Sequence, residues 1–261
     1  MIMDDSALFV RLAQDPRDLL AAQRLRYEVF VAELGADGPM VDHAARLERD
    51  GFDALVDHLV LIDPRRDAGK LDHVVGAYRL LPSDRLTKTG RFYSAGEYDL
   101  SPLIGSGRRL VELGRSCVHP DYRRGTAMYR LWNALADYVL ARKIEIMFGV
   151  ASFHGTDVGV LAQPLAYLHH HHLAPPDMRV RALGDNRQRM DLVPATDLDA
   201  RAAMAAMPAL IKAYLRLGGV VGDGAWIDAA FNTIDVCLVM DTARMSARHR
   251  AFYVRHNAVQ E

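Results

Sequence analysis

The chain has 261 residues, of which half are hydrophobic and a quarter are charged, and its formal net charge is −1. This composition is that of an ordinary globular protein and predicts one large core or at most two small domains. A net charge this close to zero excludes a global field that would attract nucleic acid or an anionic membrane, so any charged partner has to be bound by a local patch.

The chain has two cysteines, Cys117 and Cys237. They are too few for a disulfide scaffold and have no metal-ligand spacing, so we expect buried free thiols. The first residues are acidic where a signal peptide would be basic, and no apolar run approaches the ~20 residues of a membrane helix. These features predict a cytoplasmic protein.

Hydrophobic patterning divides the chain into alternating helices and strands. Asp15 is a favourable N-cap, Pro16 suits the first helical position, and Gly35 is a typical helix end. In chain order the predicted elements begin with a strand over 8–12, a helix over 15–35 and an irregular or short-helical segment over 37–56. Then follow strands over 58–63 and 73–81 joined by a hairpin-type loop, a long loop over 82–107, a strand over 110–118 and a helix after Gly125. The last elements are a strand over 144–151, a helix around 156–168, a β segment over 178–193, a helix over 199–216 and a strand over 234–240. This order predicts a mixed sheet flanked by helices.

The first helix has apolar residues near one face, which predicts its buried side. They are Leu20, Tyr27, Phe30, Val31 and Leu34. The helix after Gly125 follows the i, i+3, i+4, i+7 pattern closely.

The glycine turn between the strand over 110–118 and the next helix is a candidate anion site. A helix N-terminus presents free N–H groups and a partial positive charge, Gly125 allows close backbone approach, and Arg123 and Arg124 add cationic charge. Such a turn could hold a phosphate of coenzyme A or of phosphopantetheine. The alternative is an exposed structural turn.

Residues 111–125, which include Glu112, Arg115 and Gly125, resemble the acyl-donor motif of the GNAT (Gcn5-related N-acetyltransferase-like) fold. The version is that of acyl-homoserine-lactone synthases and ornithine N-acyltransferases. Tyr122 stands where the common motif has Gln or Arg, which agrees with the branch that uses acyl carrier protein as donor. The resemblance implies an α/β (α+β) fold with a mixed, mostly antiparallel twisted sheet flanked by helices. It implies a single domain over residues 1–261 with a family-specific helical and β addition at about 170–230.

The rest of the chain extends the resemblance. Arg26, Phe30, Asp50, Asp53 and Arg79 match residues of the acyl-homoserine-lactone synthases, although Gly35-Ala36 replaces the tryptophan expected after the first helix. Four later blocks resemble ornithine-acyl carrier protein N-acyltransferases, long labelled haemolysin-like. These blocks cover residues 152–157, 168–175, 210–218 and 231–236.

The resemblance implies an N-acyltransferase that moves a (3-hydroxy)fatty acyl group from acyl carrier protein to the α-amine of L-ornithine, giving lyso-ornithine lipid. Its donor would be the 4'-phosphopantetheine arm of the carrier, with no tightly bound cofactor. The alternatives are an N-acyl amino acid or acyl-homoserine-lactone synthase that uses the same carrier, and a non-catalytic module that binds acyl carrier protein.

Acyl transfer to an amine needs a group that takes the proton of the amine. Glu112 is the predicted base, and the alternative is a glutamate on a solvated strand face. Arg115, the second predicted catalytic residue, is three positions away and would point to the opposite face of a regular strand, so we expect a β-bulge near Gly114. The oxyanion contact is expected from the backbone near Cys117 or Val118.

The acceptor needs a cation for its carboxylate and an acid for its side-chain ammonium. Arginine suits a carboxylate, and Arg26, Arg79 and Arg115 are the candidates. Asp50 or Asp53 could bind the ammonium; each of these arginines and acids could instead have a structural role. Further substrate contacts are expected from Phe30, Ser152 and His154, where His154 could equally be a cap.

The donor-binding residues are predicted around the glycine turn. They are Cys117, Val118, Arg123, Arg124, Gly125, Thr126 and Ala127. A basic face for the acidic carrier could be formed by Arg108, Arg109, Arg123, Arg124 and Arg130, or these arginines could be a solvated helix face.

Two further segments have open interpretations. Residues 169–172 are four consecutive histidines, which cannot all bind one ion from a helix, so we expect a helix end and no metal site. Residues 208–218 could touch the inner membrane surface peripherally or pack on the sheet.

Overall fold

The computed structural model describes residues 5–244, which contain thirteen strands and seven α-helices. The strands are β1 (Phe9–Leu12), β2 (Val41–Asp42), β3 (Leu47–Glu48), β4 (Asp57–Ile62), β5 (Val74–Pro82), β6 (Tyr98–Asp99), β7 (Leu110–Val118), β8 (Ile146–His154), β9 (Arg181–Ala182), β10 (Arg187–Gln188), β11 (Val220–Val221), β12 (Ala225–Asp228) and β13 (Thr233–Asp241). The helices are α1 (Pro16–Arg26), α2 (Leu86–Thr89), α3 (Ser101–Ile104), α4 (Ala127–Ala141), α5 (Ala162–His172), α6 (Ala200–Ala206) and α7 (Ala209–Arg216). No described helix is both long and apolar enough to cross a membrane.

These elements form two compact units. Among the described residues, the first unit contains those up to Gly90 and Leu113–Lys143, and the second contains Arg91–Glu112 and those from Ile144 onward. The predicted addition at about 170–230 lies in the second unit. The prediction of a single domain stays a prediction.

The start of α1 confirms the sequence signals. The Asp15 carboxylate accepts hydrogen bonds from the backbone N–H groups of Arg17 and Asp18, and Pro16 is the first helical residue. A π-helix over Tyr27–Glu33 continues α1, and Gly35 follows with a φ of 78°. The predicted end of the helix is therefore confirmed.

The predicted buried face of this helix is partly wrong. Leu20 and Leu34 are exposed, and the helix packs on the sheet through Ala21, Leu25 and Val29. Leu34 follows the π-helix, whose turn is wider than that of an α-helix, so a regular 3.6 period does not predict its position. Leu20 lies before the π-helix, in the regular α-helix.

The sheet of the first unit has the strand order β1-β4-β5-β7. β1 and β4 are antiparallel, as are β4 and β5, which confirms the predicted hairpin. Helix α4 packs on this sheet. A Cβ at Gly76 of β5 would lie 2.9 Å from Cδ1 of Leu131, so the glycine permits the close approach of the helix.

The sheet of the second unit has the order β7-β8-β13-β12-β10, with β11 also paired to β13. β7 and β8 are parallel over Leu110–Glu112, whereas the other pairs are antiparallel. The mostly antiparallel sheet with flanking helices confirms the predicted fold class.

Three predictions about local structure are corrected. The single helix over 199–216 is two helices, because Pro208 cannot donate a backbone hydrogen bond and caps a new one. The segment over 37–56 contains the hairpin β2–β3, and β11 and β12 were not predicted. These strands have two to four residues, too few for a two-residue period to be recognised.

Candidate active site

Strand β7 carries the predicted catalytic motif and has a local kink. Arg115 has a φ of 51°, in the left-handed region that non-glycine residues rarely adopt. The irregularity expected near Gly114 is therefore present, one residue later. It means that strict alternation does not describe the directions of the side chains after Glu112.

Glu112 is buried in the second unit, with an exposed fraction of 4%. One carboxylate oxygen accepts a hydrogen bond of 2.6 Å from the backbone N–H of Tyr93. The other accepts one of 2.6 Å from the backbone N–H of Ser94 and one from the Ser94 hydroxyl. The alternative of a solvated strand face is wrong. An ionised carboxylate only accepts hydrogen bonds, so three donors fit it and fix its orientation.

The first unit holds a buried network of three arginines and three acids. Arg26 makes two hydrogen bonds of 2.7 Å to the carboxylate of Asp53 and an ion pair of 2.5 Å with Glu48. Arg79 donates to Asp50 at 2.6 Å and to Asp53 at 3.2 Å. Sequence reasoning brought these residues together but did not include Glu48 as a site residue.

Arg115 completes this network. Its Nε donates to Glu48 at 3.1 Å, and its Nη2 lies 3.6 Å from a carboxylate oxygen of Asp50. The three positive and three negative charges therefore balance within the network. Asp50 and Asp53 already have arginine partners, and this pairing does not favour the binding of an ammonium group. Their role in binding the ammonium of the acceptor stays a prediction.

The electrostatics of the network follow from burial and pairing. Burial alone would raise the pKa of Asp53, but the hydrogen bond and charge of Arg26 and the charge of Arg79 lower it. Burial alone would lower the pKa of Arg26, but Glu48 and Asp53 raise it. Both shifts favour the ionised forms of Asp53 and Arg26 at neutral pH.

Cys117 and Phe30 pack in the apolar core of the first unit. Burial raises the pKa of the Cys117 thiol to about 12, so it stays protonated at neutral pH. Cys237 is also a buried free thiol, as expected. The neighbouring Val118 carbonyl accepts a hydrogen bond from Nε of Arg123 at 3.0 Å.

The glycine turn before α4 contacts the N-terminal segment. A carboxylate oxygen of Asp5 accepts hydrogen bonds from the backbone N–H of Thr126 at 2.6 Å and from its hydroxyl at 2.9 Å. A Cβ at Gly125 would lie 2.3 Å from the same oxygen, so only glycine leaves room for it. Ala127 is buried as the first residue of α4. The turn thus holds a carboxylate of this chain, and its role in binding a donor phosphate stays a prediction.

We expect Asp5→Ala to tighten the binding of a phosphate-bearing ligand at this turn by roughly threefold to tenfold. The Asp5 carboxylate and a ligand phosphate would use the same amide, so removing the carboxylate removes a competitor. Calorimetric titration with phosphopantetheine measures the change in dissociation constant. Asp37→Ala, which removes an exposed acid of the first unit, should leave this constant unchanged. Weaker binding in Asp5→Ala would mean that the contact supports the turn instead.

Comparisons with known proteins decide the family. An acetyltransferase (GNAT) domain model matches residues 25–133. L-ornithine N(alpha)-acyltransferase of Rhodobacter capsulatus is 65% identical over 246 residues, which cover 94% of each chain. The chain belongs to the L-ornithine N(alpha)-acyltransferase family. The Brucella abortus protein of this name is 41% identical and covers 95% of this chain and 89% of its own.

Solved structures with the same architecture show the fold of this acyltransferase. FeeM, an N-acyl amino acid synthase from uncultured soil microbes, has a TM-score of 0.51 at 11% identity, covering 91% of this chain and 92% of its own. BjaI, a CoA-dependent acyl-homoserine lactone synthase, has a TM-score of 0.50 at 15% identity, covering 91% and 84%. At these identities the likeness concerns the fold alone.

Most of the arginines predicted for a basic face of this acyltransferase are already paired. Arg108 forms an ion pair with Asp241 at 2.6 Å, and Arg123 forms one with Glu33 at 2.6 Å. Arg130 donates to the backbone carbonyls of Asp5 and Leu8. Two arginines, Arg109 and Arg124, are exposed without a side-chain ion pair to any residue in 5–244. The docking surface for acyl carrier protein stays a prediction, and Arg109 and Arg124 are the arginines of the predicted set that remain available for it.

Ser152 and His154 are exposed at the end of β8. Their neighbours across the sheet are Asp235 and Thr233 of β13. Asp235 is a buried carboxylate that the sequence analysis did not single out, although a carboxylate within the apolar run of a predicted strand was a usable signal.

The four histidines over 169–172 form the last turn of α5, which confirms the predicted helix end. His170 lies 2.9 Å from the backbone carbonyl of Val193 through its Nε2. The segment over 208–218, predicted to pack on the sheet or touch a membrane, contains α7, whose Ile211 and Tyr214 are buried and which contacts β13.

Proposed function

We propose that this acyltransferase moves a (3-hydroxy)fatty acyl group from acyl carrier protein to the α-amine of L-ornithine, giving lyso-ornithine lipid. The proposal depends on one observation, the 65% identity to an L-ornithine N(alpha)-acyltransferase over 94% of both chains. The donor is the phosphopantetheine arm of the carrier, and no tightly bound cofactor takes part.

The reaction forms a C–N bond and breaks the C–S bond of the thioester. A free α-amine has a pKa of ~8 and is mostly protonated at neutral pH, so it needs a base before it can attack. Glu112 takes this proton, directly or through one water. The proton is then available to the thiolate that leaves. The backbone near Cys117 and Val118 is the proposed source of the oxyanion contact.

The α-carboxylate of the acceptor is proposed to bind the arginine network of the first unit. Arg115 is the most suitable member, because its contact to Asp50 is 3.6 Å, longer than a direct hydrogen bond. An incoming carboxylate can take this position without breaking the 2.7 Å bonds between Arg26 and Asp53. Arg79 lies in the same network and orients Asp50.

The test is release of free thiol when the purified protein is mixed with 3-hydroxyacyl carrier protein and each of a panel of amino acids. We expect rapid release with L-ornithine and a product with the mass of N-acylornithine. Release with another amino acid but none with ornithine would replace the proposed acceptor. Release from coenzyme A thioesters but none from the carrier would replace the donor. No release with any amino acid would favour a module that only binds the carrier.

We expect Arg124→Glu to raise the KM for the carrier thioester by roughly fivefold at low salt, with a smaller effect at high salt. Arg124 is exposed, and a surface charge that attracts an acidic partner is screened by ions. A pantetheine thioester without the carrier protein should show no change. Arg201→Glu, an exposed reversal in the second unit, is the matched control. An equal effect on carrier and free pantetheine thioesters would reject carrier docking at Arg124.

A further inference from the structure

Three carboxylates that the mechanism above does not use converge in the second unit. Glu97, Asp228 and Asp235 each offer one oxygen, and these oxygens lie within 4.8 Å of one another. Glu97 and Asp235 are buried, and Asp228 is half-buried. We call these three residues the acidic cluster.

The strand register places the acidic cluster on one face of the sheet. Asp228 of β12 is directly opposite Thr233 of β13, and Asp235 is two residues further along the same strand. Directly opposite residues, and residues two apart, point to the same face. Ser152 lies opposite Asp235, and His154 lies opposite Thr233. Because Ser152 and His154 are exposed, the buried acids border a surface that solvent reaches.

Thr233 gives a second and independent sign of a ligand. Its exposed fraction is 9%, and among the residues that the structure describes its hydroxyl oxygen has no hydrogen-bond partner. A buried hydroxyl without a partner costs free energy, so a bound group that hydrogen bonds to it is expected. The register directs this hydroxyl to the face that holds Asp228 and Asp235.

The backbone around the acidic cluster is held in place. One oxygen of Asp228 accepts hydrogen bonds from the backbone N–H groups of Ala230 and Phe231. The buried Tyr98 hydroxyl donates to the backbone carbonyl of Asp235 at 2.9 Å. Burial raises the pKa of Tyr98, and the charges of Asp235 and Glu97 add to this effect. The acids are therefore a fixed feature of the fold.

The chemistry of the acidic cluster fits an alkylammonium. An ammonium has three N–H donors, and three carboxylates with a neighbouring hydroxyl supply the acceptors. A calcium ion takes six to eight oxygen ligands and a magnesium ion needs a near-ideal octahedral set. Both sets are larger than the three carboxylates and one hydroxyl that converge here.

We propose that Glu97, Asp228, Asp235 and Thr233 form the pocket for the side-chain ammonium of the amino acid acceptor. The inference depends on the proposed function, since ornithine is the acceptor that carries this group. It assigns the choice of ornithine over uncharged amino acids to these four residues of the second unit.

The test compares L-ornithine with L-norvaline, which has the same carbon chain without the terminal amine. In Asp235→Asn the preference for ornithine, expressed as the ratio of the two kcat/KM values, should fall by ~10- to 100-fold, the range for a lost hydrogen bond to a charged group. Thr233→Val should lower this preference by less, because the hydroxyl that the substitution removes is a neutral acceptor. The ratio does not depend on the fraction of folded enzyme, so partial misfolding does not hide the result.

Asp191→Asn is the matched control, since Asp191 lies in the same unit and pairs with the exposed Arg189 on the surface. This variant should keep the wild-type preference. An unchanged preference in Asp235→Asn, with wild-type enzyme active on ornithine, would overturn the inference alone. A wild-type enzyme inactive on ornithine would overturn the proposed function and the inference together. Calorimetric binding of Ca²⁺ or Mg²⁺ that Asp235→Asn abolishes would show a metal site and overturn the inference.

Discussion

Glu112→Gln should lower kcat by ~10²-fold or more near neutral pH, within the range for general base catalysis. Glutamine cannot take a proton from the amine. It also places an NH₂ group against one of the backbone N–H donors of Tyr93 and Ser94, where the carboxylate has only acceptors. Thiol release at saturating concentrations of ornithine and of the proposed carrier thioester measures the loss, and the KM for that proposed donor should change little.

The pH dependence separates a base from a structural role. As the pH rises from about 7 to about 9, the α-amine of free ornithine loses its own proton, so the deficit of Glu112→Gln should shrink. Ser94→Ala keeps both backbone donors and removes only the hydroxyl contact, so its loss should be less than tenfold. A deficit that is constant over this pH range would remove Glu112 from the role of base.

Asp53→Ala should lower the free energy of unfolding by ~3–5 kcal/mol, the cost of breaking a buried ion pair from one side. The Asp53 carboxylate accepts hydrogen bonds from Gln23, Arg26 and Arg79, and its removal leaves two buried guanidinium groups without this partner. Urea unfolding followed by circular dichroism measures the change. Asp191→Ala, which breaks an exposed pair with Arg189, should cost less than ~1 kcal/mol. A similar small loss in Asp53→Ala would show that the network contributes little to stability.

The sign of the pH effect follows from the lowered pKa of Asp53. In the unfolded chain an aspartate titrates near pH ~3.9, whereas in the folded protein Arg26 and Arg79 keep this carboxylate ionised to lower pH. The contribution of the Asp53 carboxylate to the free energy of unfolding is therefore complete above pH ~4 and is lost as the pH falls further. The stability difference between wild type and Asp53→Asn should be constant from about pH 5 to about pH 7 and should narrow below about pH 4.

The arginine network also explains why its members are hard to assign from sequence. A buried arginine needs a carboxylate whether it binds substrate or only supports the fold. Arg26, with 1% exposure and contacts to Asp53 and Glu48, is inside the network. Arg115, on a kinked strand with a longer contact to Asp50, is better placed for exchange with a substrate carboxylate.

The sequence by itself determined the family, the fold class and most long elements. Asp15 and Pro16 set the start of α1, and the apolar runs that became β4, β5, β7 and β13 were long enough for their β composition to be recognised. These signals are local: a cap is set by neighbours in the chain, and a two-residue period needs only one strand and its buried face.

Only the tertiary structure decided which charged groups are paired and which converge. Asp5 reaches the amide of Thr126 across more than a hundred residues of chain, and Glu97 joins Asp228 and Asp235 from a distant loop. Neither contact has a sequence period or spacing, because each depends on strand order and register, which fix side-chain directions only after the sheet has formed. The physical reason is the short range of hydrogen bonds and buried ion pairs, which makes the role of a charged side chain a property of its folded neighbours.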